Sequence, residues 1–154
     1  GQKIAMQEIG EVGRAGMAII NVGILRGVLE EGIKFSNERI LYGKPIAKLQ
    51  SVQFELADIR VDYEAAKRLA YAAFSKKDAG LPAALDFSVA KLFATEGAVR
   101  SSKRCMDLMG GYGVINEYPV GRYMRDALCS IAAGGTSHVQ RLVIAGQTLN
   151  GFKP

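Results

Sequence analysis

Apolar side chains recur at every third or fourth position over most of the chain, the period of a helix buried along one face. The clearest seam is Leu49, Val52, Leu56, Ile59, Tyr63, Ala66, Ala70 and Ala73, spaced 3, 4, 3, 4, 3, 4 and 3. Glu55, Asp58, Arg60, Asp62, Glu64 and Lys67 fill the intervals, so the spacing predicts one long helix with a heptad-type contact face. Lys76-Lys77-Asp78-Ala79-Gly80 then supplies terminal cations and a helix-ending glycine, with Pro82 just beyond. An earlier helix is predicted from about 8 to 41, with Val12, Ala15, Ile19, Val22, Leu25, Leu29 and Ile33 at helical spacing. A third runs from about Pro82 to Met109 and is broken by Gly110-Gly111-Tyr112-Gly113. A fourth runs from near Tyr118-Pro119 to Gly134-Gly135. A shorter fifth, carrying Val139, Leu142 and Val143, ends at Asn150-Gly151. No strand-like alternation bounded by hairpin turns is present. The expected fold is all-α: an antiparallel four-helix bundle with a short extra C-terminal helix, one domain over 1–154.

Composition changes this picture at one point. The 154 residues include 18 glycines against only 4 prolines. Gly13, Gly16, Gly23, Gly27 and Gly32 all fall in the first predicted helix, where each costs about 1 kcal/mol relative to alanine. Such a cluster predicts very close approach of another backbone or a ligand. The net charge of +5 suits an anionic partner, nucleic acid, phosphate or a nucleotide cofactor. The cations are dispersed, however. The longest local cluster, Arg100, Lys103 and Arg104, reads as a solvated helix face, so nucleic acid is not the expected partner. Cys105 and Cys129 form no CxxC pair and His138 is the single histidine, which leaves no zinc set. Free, packed thiols in a reducing compartment are expected. Gly, Asn and Arg break the apolar stretches well short of about 18 residues, so no membrane span is expected. The chain opens on GQKIAMQEIGEVGR, without an initiator methionine or a signal-type apolar core, and is expected to be a piece of a longer chain.

Candidate chemistry is concentrated at the glycine breaks. Gly110-Gly111-Tyr112-Gly113 follows a helix rather than a strand and is not a dinucleotide fingerprint. It is either a helix stop or a backbone nest whose bare N–H groups meet a phosphate or a ring. Thr136, after Gly134-Gly135, is either the N-cap of the fifth helix or part of a phosphate site at that helix's start. Arg39 falls in the last turn of the first predicted helix, where an arginine complements the helix dipole. Gln50 opens the heptad helix.

In combination these segments resemble the C-terminal helical domain of the acyl-CoA dehydrogenases. Glu38-Arg39-Ile40-Leu41-Tyr42-Gly43-Lys44-Pro45-Ile46, through Gln50, is similar to the family's E-R-x-x-F-G-K-P-I … Q segment, and Ala57-Asp58-Ile59 to its A-D-M. Gly110-Gly111-Tyr112-Gly113 with Glu117-Tyr118-Pro119 is similar to G-G-x-G-x-x-x-E-Y-P. Arg122, Arg125, Asp126 and Ala127 match R-x-x-R-D-A, and Gly135-Thr136-Ser137 through Gln140-Arg141 match G-T-S-x-x-Q-R. The order is the family's and spans nearly the whole chain.

The resemblance implies the last part of a three-domain flavoprotein in the cytoplasm, or in the mitochondrial matrix of a eukaryote, whose cofactor is FAD. It implies that Arg39, Gln50, Asp107, Gly110 and Gly111 contact the FAD of a neighbouring subunit, and that Thr136 and Ser137 contact the FAD of their own. Arg14, in a segment similar to D-M-G-R, and Gly135 are the implied acyl-CoA contacts. The implied partners are the acyl-CoA substrate, an electron-transfer flavoprotein or other acceptor, and further copies of the chain in a dimer or tetramer. Two departures stand out. Asp107 replaces a glutamine, and Gly134 stands where the family usually carries the glutamate that removes the substrate α-proton. The alternative location of that base holds Gly13. The first reading is therefore an acyl-CoA dehydrogenase-like oxidoreductase without its usual base. The others are a flavin monooxygenase or reductase on the same fold, or a non-catalytic binding member. The isolated domain is expected to be inactive and colourless, and glutamate at 134 in the longer protein is expected to raise the rate.

Overall fold

The computed structural model describes residues 1–151, with side chains described from Val12 onward in the first helix. Five helices follow one another: α1 (Gln2–Glu38), α2 (Gln50–Asp78), α3 (Ala84–Met109), α4 (Val120–Ala132) and α5 (Ser137–Gly151). The first four form the expected bundle, and α5 packs on α3.

The centre of the bundle is α3, which touches each of the other four helices. Its sequence explains why. Ala90, Ala94, Gly97, Ala98, Ser101 and Ser102 are all buried, and side chains this small let neighbouring helices pack close. Against them lie Ala18, Val22 and Leu25 of α1, Ala66 and Ala70 of α2, and Ala127 of α4. The heptad seam of α2 is confirmed: Ile59, Ala66, Ala70 and Ala73 have no exposed surface, and Leu49, Val52 and Tyr63 pack beside them. Its C-terminus is also as expected. Gly80 adopts φ +73° and its N–H donates to the Lys77 carbonyl at 2.9 Å.

Several boundaries differ from expectation. The first helix ends at Glu38 rather than near 41. Ile40–Leu41 (β1) instead pairs antiparallel with Lys44–Pro45 (β2) around Tyr42 (φ +52°) and Gly43 (φ +76°). Two consecutive positive φ values match the two-residue hairpin turn that suits strand twist, and a tyrosine at the first gave no turn signal in the sequence. Arg39 therefore stands in extended backbone just past the helix, not in its last turn. The expected absence of an apolar helix of membrane-spanning length is also corrected: Val12–Glu38 is long and apolar enough by length and composition. Within the bundle, Ala18, Leu25 and Val28 of that helix are fully buried against other helices.

The glycines of α1 divide. A Cβ at Gly27 would lie 2.9 Å from the Tyr123 ring, and one at Gly32 would lie 3.1 Å from Leu56. Gly16 and Gly23 face open space. Of the two cysteines, Cys105 is buried and burial pushes its thiol up to about 12, whereas Cys129 is exposed on α4 rather than packed. The basic cluster of α3 is neutralised from α2 and from its own helix. Arg100 holds Asp62 at 2.7 Å, Arg104 holds Glu55 at 2.8 Å, and Lys103 holds Asp107 at 2.6 Å.

Candidate functional site

The sequence-predicted residues gather in two places. The first is a cleft of about 290 Å³ where the C-terminal ends of α1 and α3 meet the β1–β2 ribbon. Arg39, Asp107, Gly110 and Gly111 all line it, with Phe35 and Tyr112. The Arg39 guanidinium lies 5.2 Å from the centre of the Tyr112 ring. That ring packs on Phe35 at 5.6 Å and on Tyr118 at 5.7 Å, so the aromatic group fixes the floor on which the cation rests. Arg39 holds no carboxylate among the described residues. Gln50, exposed at the first position of α2, lies outside the lining of this cleft.

The glycines of this break have different duties. Gly110 adopts φ +58°, and its N–H donates to the Asp107 carbonyl to end α3. Gly113 is a packing glycine, because a Cβ there would lie 2.8 Å from the Met106 backbone. Gly111 and Gly110 meet nothing within 4 Å in the Cβ direction. The segment is therefore a helix stop, as one reading held, and its first two residues also present unshielded backbone to a concave surface.

The second place is the turn between α4 and α5. Gly134 (φ +65°) and Gly135 (φ +91°) both lie in the left-handed region. Thr136 is the expected cap: its Oγ1 accepts from the Val139 N–H at 3.3 Å. Ser137, next in sequence, is buried, and its Oγ has no hydrogen-bond partner. His138 is exposed on the first turn of α5.

Here the two expected base positions meet. A Cβ on Gly134 would lie 2.7 Å from the Gly13 carbonyl oxygen and 3.0 Å from Met17 Cγ, and one on Gly13 would lie 3.4 Å from Gly134 Cα. Residues 121 positions apart in sequence are thus in backbone contact. This corrects the expectation that glutamate could simply be installed at 134, since both the φ value and the facing backbone oppose it. Arg14 follows Gly13 on α1 and is half-buried, with no ion pair among the described residues.

Two residues given no role in the sequence reading support this turn. Gln140 is fully buried, and its Nε2 donates to the carbonyls of Gly134 (3.2 Å) and Gly135 (3.0 Å). Lys91 is also fully buried, and its Nζ donates to the Ile131 carbonyl at 2.8 Å, at the end of α4. Burial lowers its pKa, with Glu96 acting in the opposite sense. The sequence held a signal for Lys91, a lone cation four residues after Phe87 and three before Ala94 on a buried stripe.

The orphaned hydroxyl of Ser137 is a feature that a bound polar ligand would complete, and Gly110 and Gly111 leave space for one to approach. Comparison with known proteins identifies the family of the chain. The family described as "Acyl-CoA dehydrogenase, C-terminal domain" matches residues 1–149. The short-chain specific acyl-CoA dehydrogenase of Megasphaera elsdenii is 40% identical over 149 residues, 97% of this chain and 39% of that protein. The structure of butyryl-CoA dehydrogenase from the same organism superposes with TM-score 0.93 at 40% identity, over 97% of this chain and 39% of that one. A structure described as PigA with FAD and proline superposes with TM-score 0.84 at 27% identity, over 88% of this chain and 35% of that one. The chain thus spans about two fifths of the length of these relatives.

Proposed function

Because the chain belongs to the acyl-CoA dehydrogenase family, as its C-terminal helical domain, we propose that it is the helical part of a longer FAD-dependent oxidoreductase acting on acyl-CoA thioesters. One observation carries this reading: the two groups of candidate residues lie far apart along α1, one beside Gly13 and the other just past its C-terminus. Arg39 follows Gly13 by 26 residues, a distance of about 39 Å at helical rise. A ligand touching both groups would have to span that distance, whereas two chains each lending one group need not. The arrangement supports a homo-oligomer in which Thr136 and Ser137 face the flavin of their own subunit. Arg39, Gln50, Asp107, Gly110 and Gly111 would face a neighbour's.

Bound there, FAD would supply the acceptor for an electron pair. The chain's own residues would do the holding. Arg39, without a carboxylate partner, would neutralise a pyrophosphate, and the bare backbone of Gly110 and Gly111 would let it approach closely. Ser137 Oγ would gain the partner it lacks. Arg14 and the Gly135 backbone, flanking the Gly13–Gly134 contact, would hold the acyl-CoA. Neither glycine can accept the α-proton, so this step is slow on the proposed reading. A reductase would face the same lack, since running the reaction backwards needs a proton donor where oxidation needs an acceptor.

The test uses the full-length protein. It should purify yellow with FAD and be bleached slowly by short-chain acyl-CoA under anaerobic conditions, while residues 1–154 alone stay colourless. Gly13→Glu, which meets only an ordinary 3.4 Å contact, should accelerate bleaching by about 10²–10⁴-fold, the usual worth of a general base. Rapid bleaching of the unaltered protein would show a base supplied elsewhere, and a colourless full-length protein would overturn the reading.

A further inference from the structure

We propose that Gln140 is a positioning residue: its buried carboxamide fixes the ligand-facing turn 133–136 from behind, and so governs flavin and thioester binding without touching either. The proposal rests on the functional reading above. The two carbonyls it holds, those of Gly134 and Gly135, belong to residues at φ +65° and +91°. Among the described residues, no other side chain hydrogen-bonds the backbone of residues 133–135. Gly135 and Gln140 are fitted to one another, because a Cβ at 135 would lie 2.7 Å from Nε2. On either side the chain is held by separate means, with Lys91 on the Ile131 carbonyl and Thr136 on the Val139 N–H. The carboxamide is therefore the element that sets where residues 134 and 135 stand relative to the ligand-facing Thr136 and Ser137.

The other half of the same side chain argues against a packing role. Gln140 Oε1 is buried and has no hydrogen-bond partner. An unmatched buried acceptor is unfavourable, and an apolar side chain of the same shape would avoid it. A glutamine here is explained by what its donor does for the turn. A shell that locks ligand-contacting groups from behind controls binding geometry in this way.

The experiment compares Gln140→Met and Gln140→Glu with the unaltered full-length protein. Methionine keeps the volume and removes both the donor and the orphaned acceptor. The unfolding temperature without FAD should fall only modestly, since two half-buried turn carbonyls lose a donor while an unmatched acceptor is removed. The Kd for FAD should rise about tenfold, the scale seen when an outer-shell partner is lost, and the flavin absorbance change on adding butyryl-CoA should shrink. Glutamate tests the same contact by pH. Its protonated form can donate one O–H to a turn carbonyl, and its ionised form repels both, so the Kd relative to the unaltered protein should fall on acidification. An unchanged Kd in Gln140→Met, with equal loss of stability in the apo and FAD-bound forms, would overturn the proposal. So would a pH-independent Kd ratio in Gln140→Glu. If the unaltered protein itself binds no FAD, the functional reading falls and takes this proposal with it, an outcome distinct from a failure confined to the variants.

Discussion

Replacing Gly134 by glutamate is expected to destabilise the domain by about 2–5 kcal/mol, from left-handed backbone strain combined with overpacking. It is not expected to restore a catalytic base. Two separate effects act at this position. The residue sits at φ +65°, where a side chain costs about 1–2 kcal/mol relative to glycine. Its Cβ would also lie 2.7 Å from the Gly13 carbonyl oxygen and 3.0 Å from Gly13 carbonyl carbon. Backbone atoms cannot rotate out of the way, so α1 or the turn must shift, and overpacking of this kind costs about 1–3 kcal/mol. Gly134→Ala should show most of the loss, because the Cβ alone causes both effects. Denaturant unfolding followed by helical circular dichroism measures it. Variants within 1 kcal/mol of the original would show that the turn yields easily and that the Gly13–Gly134 contact is not a constraint. Gly13→Glu is the contrasting case. It removes a helical glycine, which favours the helix by up to about 1 kcal/mol, and meets nothing tighter than ordinary contact. If a carboxylate can return to this site, the structure favours the α1 side of the contact.

The second large effect is expected at Lys91. Its side chain has no exposed surface, and its Nζ points at the Ile131 carbonyl from 2.8 Å. Lys91→Glu would aim a buried anion at that oxygen, and an uncompensated buried charge costs about 3–5 kcal/mol. Lys91→Met keeps the stem and loses only the donor, which leaves the carbonyl unsatisfied at about 1–3 kcal/mol. The two variants separate the charge from the hydrogen bond. The pH dependence has a definite sign. Burial holds the Lys91 ammonium below its ordinary value of 10.5. As pH falls through 10.5, an unfolded chain binds a proton before the folded one does, so the original protein loses stability toward lower pH down to its folded pKa. The stability of the original relative to Lys91→Met should accordingly rise with pH over that window. A Lys91→Glu variant as stable as Lys91→Met would show that the side chain escapes to solvent.

Local signals carried the helices and most of their ends. The α2 seam, the Lys76–Gly80 terminus and the break at Gly110 all depend on neighbours in sequence, and all are where periodicity and glycine place them. The β1–β2 ribbon was not legible, because Tyr42 takes a left-handed turn position normally held by glycine, asparagine or aspartate. The cleft was legible only through the resemblance, which grouped Arg39 with Asp107 and Gly110 across 68 or more residues. Local pattern did not show the pairings that close over long separations: Gly13 with Gly134, which only the resemblance assigned to one site, and Lys91 with Ile131. A lone buried lysine or a second glycine has no local periodicity to announce its partner. Each is fixed by tertiary packing alone.

The length of α1 has a genetic consequence on the proposed reading. A chain that lends its Thr136 end to its own flavin and its Arg39 end to a neighbour's contributes to two sites, each made from two chains. In an oligomer mixed from one chain broken at Arg39 and another broken at the Thr136 turn, both lesions can fall on a single site. The remaining site is then assembled wholly from sound halves. Two inactive alleles of this gene would therefore complement one another, whereas two alleles broken at the same end would not.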